Sequence, residues 1–256
     1  MSEQRFAGRV AFVTGAASGL GRASAVMLAR EGARMMLFDR DAAGLKDVQA
    51  LCPGSIVHVG DASVAADVSA AAELSRKALG PAEFLVASAG INGIPKQAIE
   101  YTEEEWDRLF AINVKGPWLA CKAIIPQMRE LGKGSIVLFS STAGLAGSGF
   151  LPAYSASKGA VALFARSLAL NHAREGIRVN CVCPGTIDTP MAQQMFVQAA
   201  ELGGAAPPTV DVMRNRIPMG RFGLAEEIAD AVLYFLSDAA SYTTGVTMPI
   251  DGGLKA

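Results

Sequence analysis

Three glycines, Gly15, Gly19 and Gly21, fall within seven residues of "VTGAASGLGR", behind the apolar run "VAFV" and at the opening of a helical pattern. A dinucleotide needs such a stretch: a tight turn, close approach of backbone to pyrophosphate, and free N–H groups at a helix N-terminus. The spacing is Gly-x-x-x-Gly-x-Gly, which alone also fits a turn that needs glycine only for its backbone. Asp39 narrows the reading. It ends "MMLFD", eighteen residues beyond Gly21, where a carboxylate can accept hydrogen bonds from an adenosine ribose and repels the extra phosphate of NADP. Ser18 offers that phosphate no cation, whereas Arg40, beside Asp39, could swing onto it; the balance favours NAD over NADP. Asp61 ends the third apolar run in "HVGD". It fits either a partner for the adenine amino group or a cap for the following "ASVAADV".

Tyr154 and Lys158 stand four apart in "YSASK", so in a helix phenol and amine share one face. The motif begins the helix after the fifth strand, whose end carries Ser140 and Ser141 in "FSSTAG". In a doubly wound sheet, ligands bind outside the carboxyl ends of the strands. The glycine loop lies at that same edge, so the serines and the Tyr–Lys pair are expected to face one cleft.

The elements that must position these groups follow from periodicity. Strand-like runs are "RVAFVT", "ARMMLFD", "SIVHVG", "FLVAS", "GSIVLFS", "IRVNCVC" and "GVTMPID". Helical spacing fills the segments between them, including "TEEEWDRLFAINVKGPWLACKAIIPQMREL". End-to-end alternation predicts an α/β fold: a doubly wound, mostly parallel seven-stranded sheet with helices on both faces. Gly32, Gly132 and Gly176 sit where left-handed residues end helices. With no internal repeat or linker, residues 1–256 read as one domain. An irregular stretch from about Met191 to Gly223 breaks the alternation and is expected to be a substrate lid.

Composition bounds the rest. The chain is 51% apolar and 18% charged with a net charge of −1, an ordinary globular balance with no basic excess for nucleic acid. No run reaches membrane-spanning or signal-peptide length, so the expected location is cytoplasmic. Cys52, Cys121, Cys181 and Cys183 lack zinc-ligand spacing with His58 or His172, and read as reduced core thiols with no metal site.

Over essentially its whole length the sequence resembles the short-chain dehydrogenase/reductase family. The matching motifs are "TGAASGLG" (14–21), Asn113 in "INVKG", Ser141 thirteen residues before Tyr154, "YSASK", "PGTIDT" (184–189) and "DGG" (251–253). The resemblance implies a Rossmann enzyme that oxidises alcohols or reduces ketones with a nicotinamide cofactor, usually as a homotetramer. It implies a catalytic set of Asn113, Ser141, Tyr154 and Lys158. Tyr154 would exchange a proton with the substrate oxygen. A free phenol has a pKa of about 10, which Lys158 and the nicotinamide ring would lower. Ser141 would hydrogen-bond the substrate oxygen as charge develops, and Lys158 would also bind the nicotinamide ribose. Cofactor contacts are expected from Gly15, Ser18, Gly19, Leu20, Gly21, Asp39, Arg40, Asp61, Ala62, Ala89, Gly90, Pro184, Gly185, Ile187 and Thr189, with Tyr154 and Lys158.

Asn113 falls in the helix that Thr102 and Glu105 open as a capping box. Pro117, four residues later, has no N–H to offer its carbonyl. The freed carbonyl is expected to hold a water that links Lys158 to solvent. One departure stands out: "ASAG" (87–90) replaces the family's Asn-Asn-Ala-Gly. Ser88 would make some of the missing amide's hydrogen bonds; Ala87 can make none. Two alternatives carry less weight. An epimerase or dehydratase of this fold usually adds a C-terminal substrate domain, and this chain ends soon after its seventh strand. A non-catalytic nucleotide-binding regulator would be expected to have a damaged Ser–Tyr–Lys set. For the substrate, Phe150, Leu151, Met191, Met195 and Phe196 suggest an apolar wall. No cluster of cations announces an anionic substrate, unless folding brings Arg214, Arg216 or Arg221 inward.

Overall fold

A computed structural model of the chain describes residues 4–201 and 209–256, without the side chains at 196 and 198–201. Seven strands form one sheet in the order β3-β2-β1-β4-β5-β6-β7. They are β1 (Val10–Thr14), β2 (Arg34–Asp39), β3 (Ile56–Val59), β4 (Phe84–Ala87), β5 (Gly134–Phe139), β6 (Ile177–Pro184) and β7 (Thr247–Ile250). Every pairing is parallel, so "mostly parallel" becomes wholly parallel among the described residues. Each strand lies inside or within one residue of its expected run.

Alternate side chains of each strand feed two cores. One holds Phe12, Phe38, Ile124, Val161 and Cys181, under α3 (Ala65–Leu79), α5 (Gly116–Leu131) and α6 (Pro152–His172). The other holds Val13, Leu37, Leu28, Leu45 and Val232, under α1 (Gly19–Arg30), α2 (Ala42–Leu51) and α9 (Ala225–Leu236). All four cysteines are free and buried. Gly32, Gly132 and Gly176 take positive φ of 89°, 65° and 73°, ending their helices in the left-handed region.

Register brings the functional ends level. Thr14 pairs with Phe38 on one side and Ala87 on the other, and Ala87 pairs with Leu138. Gly15, Asp39, Ser88 and Ser140 therefore leave the sheet along one edge. The sheet order reverses between β1 and β4, which opens the crevice where such sheets bind ligands.

Two helical segments depart from expectation. The stretch after Thr102 is not one helix: α4 (Glu103–Phe110) passes through a π turn, Ala111–Lys115, into α5, with Gly116 N–H donating to Ala111 O. Pro117 supplies no N–H, and the widened turn absorbs that gap. The Met191–Gly223 stretch is less irregular than its composition suggests. It contains α7 (Pro190–Glu201) and α8 (Val210–Asn215); its residues 202–208 and the Phe196 side chain lie outside the described residues. Among the described residues no helix is long and apolar enough to cross a membrane.

Candidate active site

A single cleft of about 1050 Å³ runs along the carboxyl edge of the sheet, lined from Gly15, Asp39 and Asp61 at one end to Tyr154, Met191 and Arg216 at the other. Every expected cofactor contact lines it except Gly21. That glycine acts underneath: a Cβ there would lie 2.1 Å from Gly15 O, so only glycine lets the loop fold onto α1. A Cβ on Gly15 would lie 2.7 Å from Ala89 N. Gly19 meets only Thr189 at 3.9 Å and leaves the loop's outer face open. Ser18 occupies the N-cap of α1 without a side-chain cap, and no acid stands in the first turn. An N-terminus left in that state fits a diphosphate.

Asp39 has a duty the sequence did not disclose. Its Oδ2 accepts from Ala17 N–H at 3.0 Å and its Oδ1 from Asp41 N–H at 3.1 Å, so the carboxylate also ties the glycine loop to β2. Arg40 lines the cleft beside it. Asp61 does not cap α3, whose N-cap is Val64 with no side-chain bond. It lines the cleft, and its Oδ1 accepts from the Ser63 N–H and hydroxyl at 2.8 and 2.7 Å ahead of α3. Those bonds hold its carboxyl below the usual range.

The expectation for Ser88 is not met: no hydrogen bond forms from its side chain among the described residues. Thr14 holds that strand end instead, its hydroxyl accepting from Ala89 N–H at 3.3 Å. The "PGTIDT" segment is more than a turn. Ile187 bridges to Gly223 in parallel, and Asp188 N–H donates to Gly223 O at 2.9 Å.

At the other end, α6 starts with Pro152 in its first turn and presents Tyr154 and Lys158 to the cleft. Ser141 caps a short 3₁₀ turn, its hydroxyl accepting from Ala143 N–H at 3.1 Å. Ser141 and Tyr154 line the cleft together, and Ser141 acts on the Tyr154 hydroxyl in the direction that favours the phenolate. Ser140 is structural; its buried hydroxyl donates to Lys158 O at 2.7 Å and clamps β5 to α6. Asn113, 1% exposed, accepts from Ile91 N–H and donates to Ile91 O, both at 2.9 Å, and donates to Ser157 Oγ at 3.1 Å.

Desolvation pushes Tyr154 up to about 12, only partly offset by Ser141. The Lys158 amine donates to Phe139 O at 2.9 Å, and burial pushes it down to about 8.

Phe150 and Met191 line the cleft as expected, and so do Leu151 and Met195. Asn92 donates to Met191 O at 3.0 Å, tying the start of α7 to the loop after β4. Of the three arginines that folding could bring inward, Arg216 lines the cleft, and so does Lys255. Arg214 pairs with Asp211 and Arg221 with Glu227. Nothing in the spacing of that segment distinguished the three arginines, because the fold after α8 decides which of them lines the cleft.

A family model described as enoyl-(acyl carrier protein) reductase matches residues 15–255. The chain belongs to the short-chain dehydrogenase/reductase family. It is 40% identical to 2-(S)-hydroxypropyl-CoM dehydrogenase 3 of Xanthobacter autotrophicus, covering 98% of each chain. It is 38% identical to 2-dehydro-3-deoxy-L-rhamnonate dehydrogenase (NAD(+)) of a Sphingomonas species, covering 97% of this chain and 96% of that one. Among solved structures, 3-ketoacyl-(acyl-carrier-protein) reductase from Brucella melitensis, complexed with NADH, superposes with a TM-score of 0.89 at 32% identity, over 98% of this chain and all of that one. This family member is an oxidoreductase that acts on CH–OH groups with a nicotinamide cofactor.

Proposed function

We propose that the chain interconverts a secondary alcohol and its ketone with NAD in preference to NADP, Tyr154 serving as the general acid–base. The observation that carries this reading is the convergence of Ser141, Tyr154 and Lys158 on the cleft that also holds the uncapped glycine loop.

In alcohol oxidation Tyr154, as phenolate, takes the substrate hydroxyl proton, while Ser141 donates to the same oxygen and fixes its position. The bound nicotinamide supplies the hydride acceptor for the carbinol carbon. Desolvation alone keeps the Tyr154 proton on, so forming the phenolate needs positive charge brought close to the hydroxyl. Lys158, turned from Phe139 O toward the cleft, supplies part of that charge and binds the nicotinamide ribose. Asn113 anchors α6 through Ser157, which donates in turn to Tyr154 O at 2.8 Å. Its main-chain carbonyl, which Pro117 cannot engage, holds a water that passes the proton from Lys158 to solvent.

Backbone N–H groups from Ser18 to Leu20 bind the pyrophosphate, and Pro184, Gly185, Ile187 and Thr189 border the nicotinamide. Asp39 binds the adenosine ribose and repels a 2′-phosphate; a relative that names NAD(+) and a neighbour complexed with NADH support the same preference. Residues 191–223 act as the lid of a single-domain enzyme, which works as a cytoplasmic homotetramer. The test is a rate screen of diverse secondary alcohols and ketones with NAD(H) and NADP(H) in parallel. Turnover favouring NAD(H) is expected; cofactor binding without turnover across the panel would overturn the reading in favour of a regulator.

A further inference from the structure

Beyond Ser141 and Tyr154 the cleft continues toward α7, α8 and the C-terminal tail, and its chemistry changes there. Met191, Met195 and Met213 line this part, and so do Arg216 and Lys255, both exposed to solvent at its edge. Among the described residues neither cation has an ion-pair or hydrogen-bond partner for its side chain. The neighbouring arginines differ. Arg214 reaches Asp211 at 3.2 Å and lies over Phe222, while Arg221 grips Glu227 through two contacts of 2.6 and 2.8 Å.

The backbones that carry the two cations are fixed to one another. Ile217, directly after Arg216, is buried, and its methyl fills the space where a Cβ on Gly252 would lie, 2.7 Å away. Met219 N–H donates to Gly252 O at 3.1 Å. Gly252 and Gly253 take φ of 64° and 89°, values that L side chains resist. That double turn sends Leu254 and Lys255 back to the cleft beside the Arg216 segment. The "DGG" motif therefore packs the segment that carries Lys255 against the one that carries Arg216.

No uncommitted acid answers these charges in the cleft wall, among the described residues. Asp39, Asp41 and Asp61 belong to the end by the glycine loop, and Glu105 is held by Lys96 and the Thr102 N–H. Asp251 accepts from Gly253 N–H and is not part of the wall. Resting on the oxidoreductase reading above, we infer that the substrate carries an oxyanion (carboxylate, sulfonate or phosphate) at the end remote from its reacting carbon, bound by Arg216 and Lys255. A guanidinium and an ammonium give charge-assisted hydrogen bonds to such a group. The methionines cover the short apolar chain between it and the carbinol.

The test uses the NAD-loaded protein in ligand-observed NMR titrations with pentanoate, 1-pentanesulfonate and 1-pentanol. The two anions are expected to bind more tightly than the alcohol, and more weakly as sodium chloride is added. Their affinity should fall by about tenfold or more in the Arg216→Gln/Lys255→Gln variant, with pentanol unaffected. Equal anion binding by wild type and variant, or pentanol binding as tightly as pentanoate, would overturn the inference. A parallel assay compares 4-hydroxypentanoate with 2-pentanol. If both are oxidised equally and the double variant changes neither, the anion site falls while the redox reading stands. If the anions bind through these two residues yet no alcohol or ketone reacts, the redox reading falls and the anion site stands.

Discussion

The ammonium of Lys158 donates to the main-chain carbonyl of Phe139 at 2.9 Å and stands 5.6 Å from the centroid of the Tyr154 ring. The charge that the chemistry needs is thus anchored on β5, in a site where Lys158 is only 6% exposed. Burial lowers this amine from 10.5 to about 8. Between those two values the unfolded chain holds the proton and the folded chain does not, so this group makes stability rise with pH across that window. Below it, keeping a buried ammonium costs about 3 kcal/mol. Denaturant midpoints measured from neutral pH to about pH 10 should climb more in the wild type than in Lys158→Met. Parallel curves for the two proteins would show that this amine is not desolvated.

Tyr154 titrates in the opposite sense. Its hydroxyl is pushed up to about 12, so alcohol oxidation, which needs the phenolate, should accelerate as pH rises, and ketone reduction should slow. Tyr154→Phe is expected to lower kcat by about 10²- to 10⁴-fold with NAD(H) binding intact. Ser141→Ala should lower it by about 10²- to 10³-fold and leave the direction of the pH dependence unchanged. Stopped-flow turnover together with NADH fluorescence titration checks both. A Tyr154→Phe protein that keeps wild-type kcat would remove the tyrosine from the chemistry.

Much of this was legible beforehand because it depends on local rules. The seven apolar runs became the seven strands, and the Thr102–Glu105 capping box formed as spaced, with Glu105 N–H donating to Thr102 Oγ1 at 3.3 Å. What escaped depends on contacts across the chain. Pro117 announced that a bond must be missing, but not that the helix would widen into a π turn to absorb the loss. Ser88 looked able to stand in for an amide, yet the hydroxyl that does so comes from Thr14, on the neighbouring strand. Arg216 was indistinguishable from Arg214 and Arg221 until acids elsewhere claimed the other two.

The double duty of Asp39 makes a paired prediction. Asp39→Ser removes the charge that repels a 2′-phosphate, and Arg40 is free to approach it, so kcat/KM with NADP should rise relative to NAD. The same change removes the acceptor for Ala17 N–H and should lower stability by about 1 kcal/mol. Adding Arg40→Ala should reverse the gain in NADP use without restoring the stability. Steady-state kinetics with both cofactors, alongside thermal denaturation, separates the two effects. A preference ratio unmoved by Asp39→Ser would mean that cofactor choice is made elsewhere.

Asn113 joins three parts of the site through one amide: the loop after β4 at Ile91, the π turn itself, and α6 at Ser157. Asn113→Ala strands the buried polar groups it served, at a cost of about 2–3 kcal/mol in stability. It should also reduce kcat through the loosened seat of α6. Pro117→Ala tests the main-chain carbonyl separately, because it leaves the amide in place and returns an N–H four residues beyond Asn113. If that carbonyl serves a proton relay, the variant should be as stable as wild type or more so, yet show a slower proton-transfer step. That slowing would appear as a changed pH–rate profile and a larger solvent isotope effect. Greater stability with an unaltered profile would leave Asn113 as a positioning residue only, acting through its side chain on the helix that carries Tyr154.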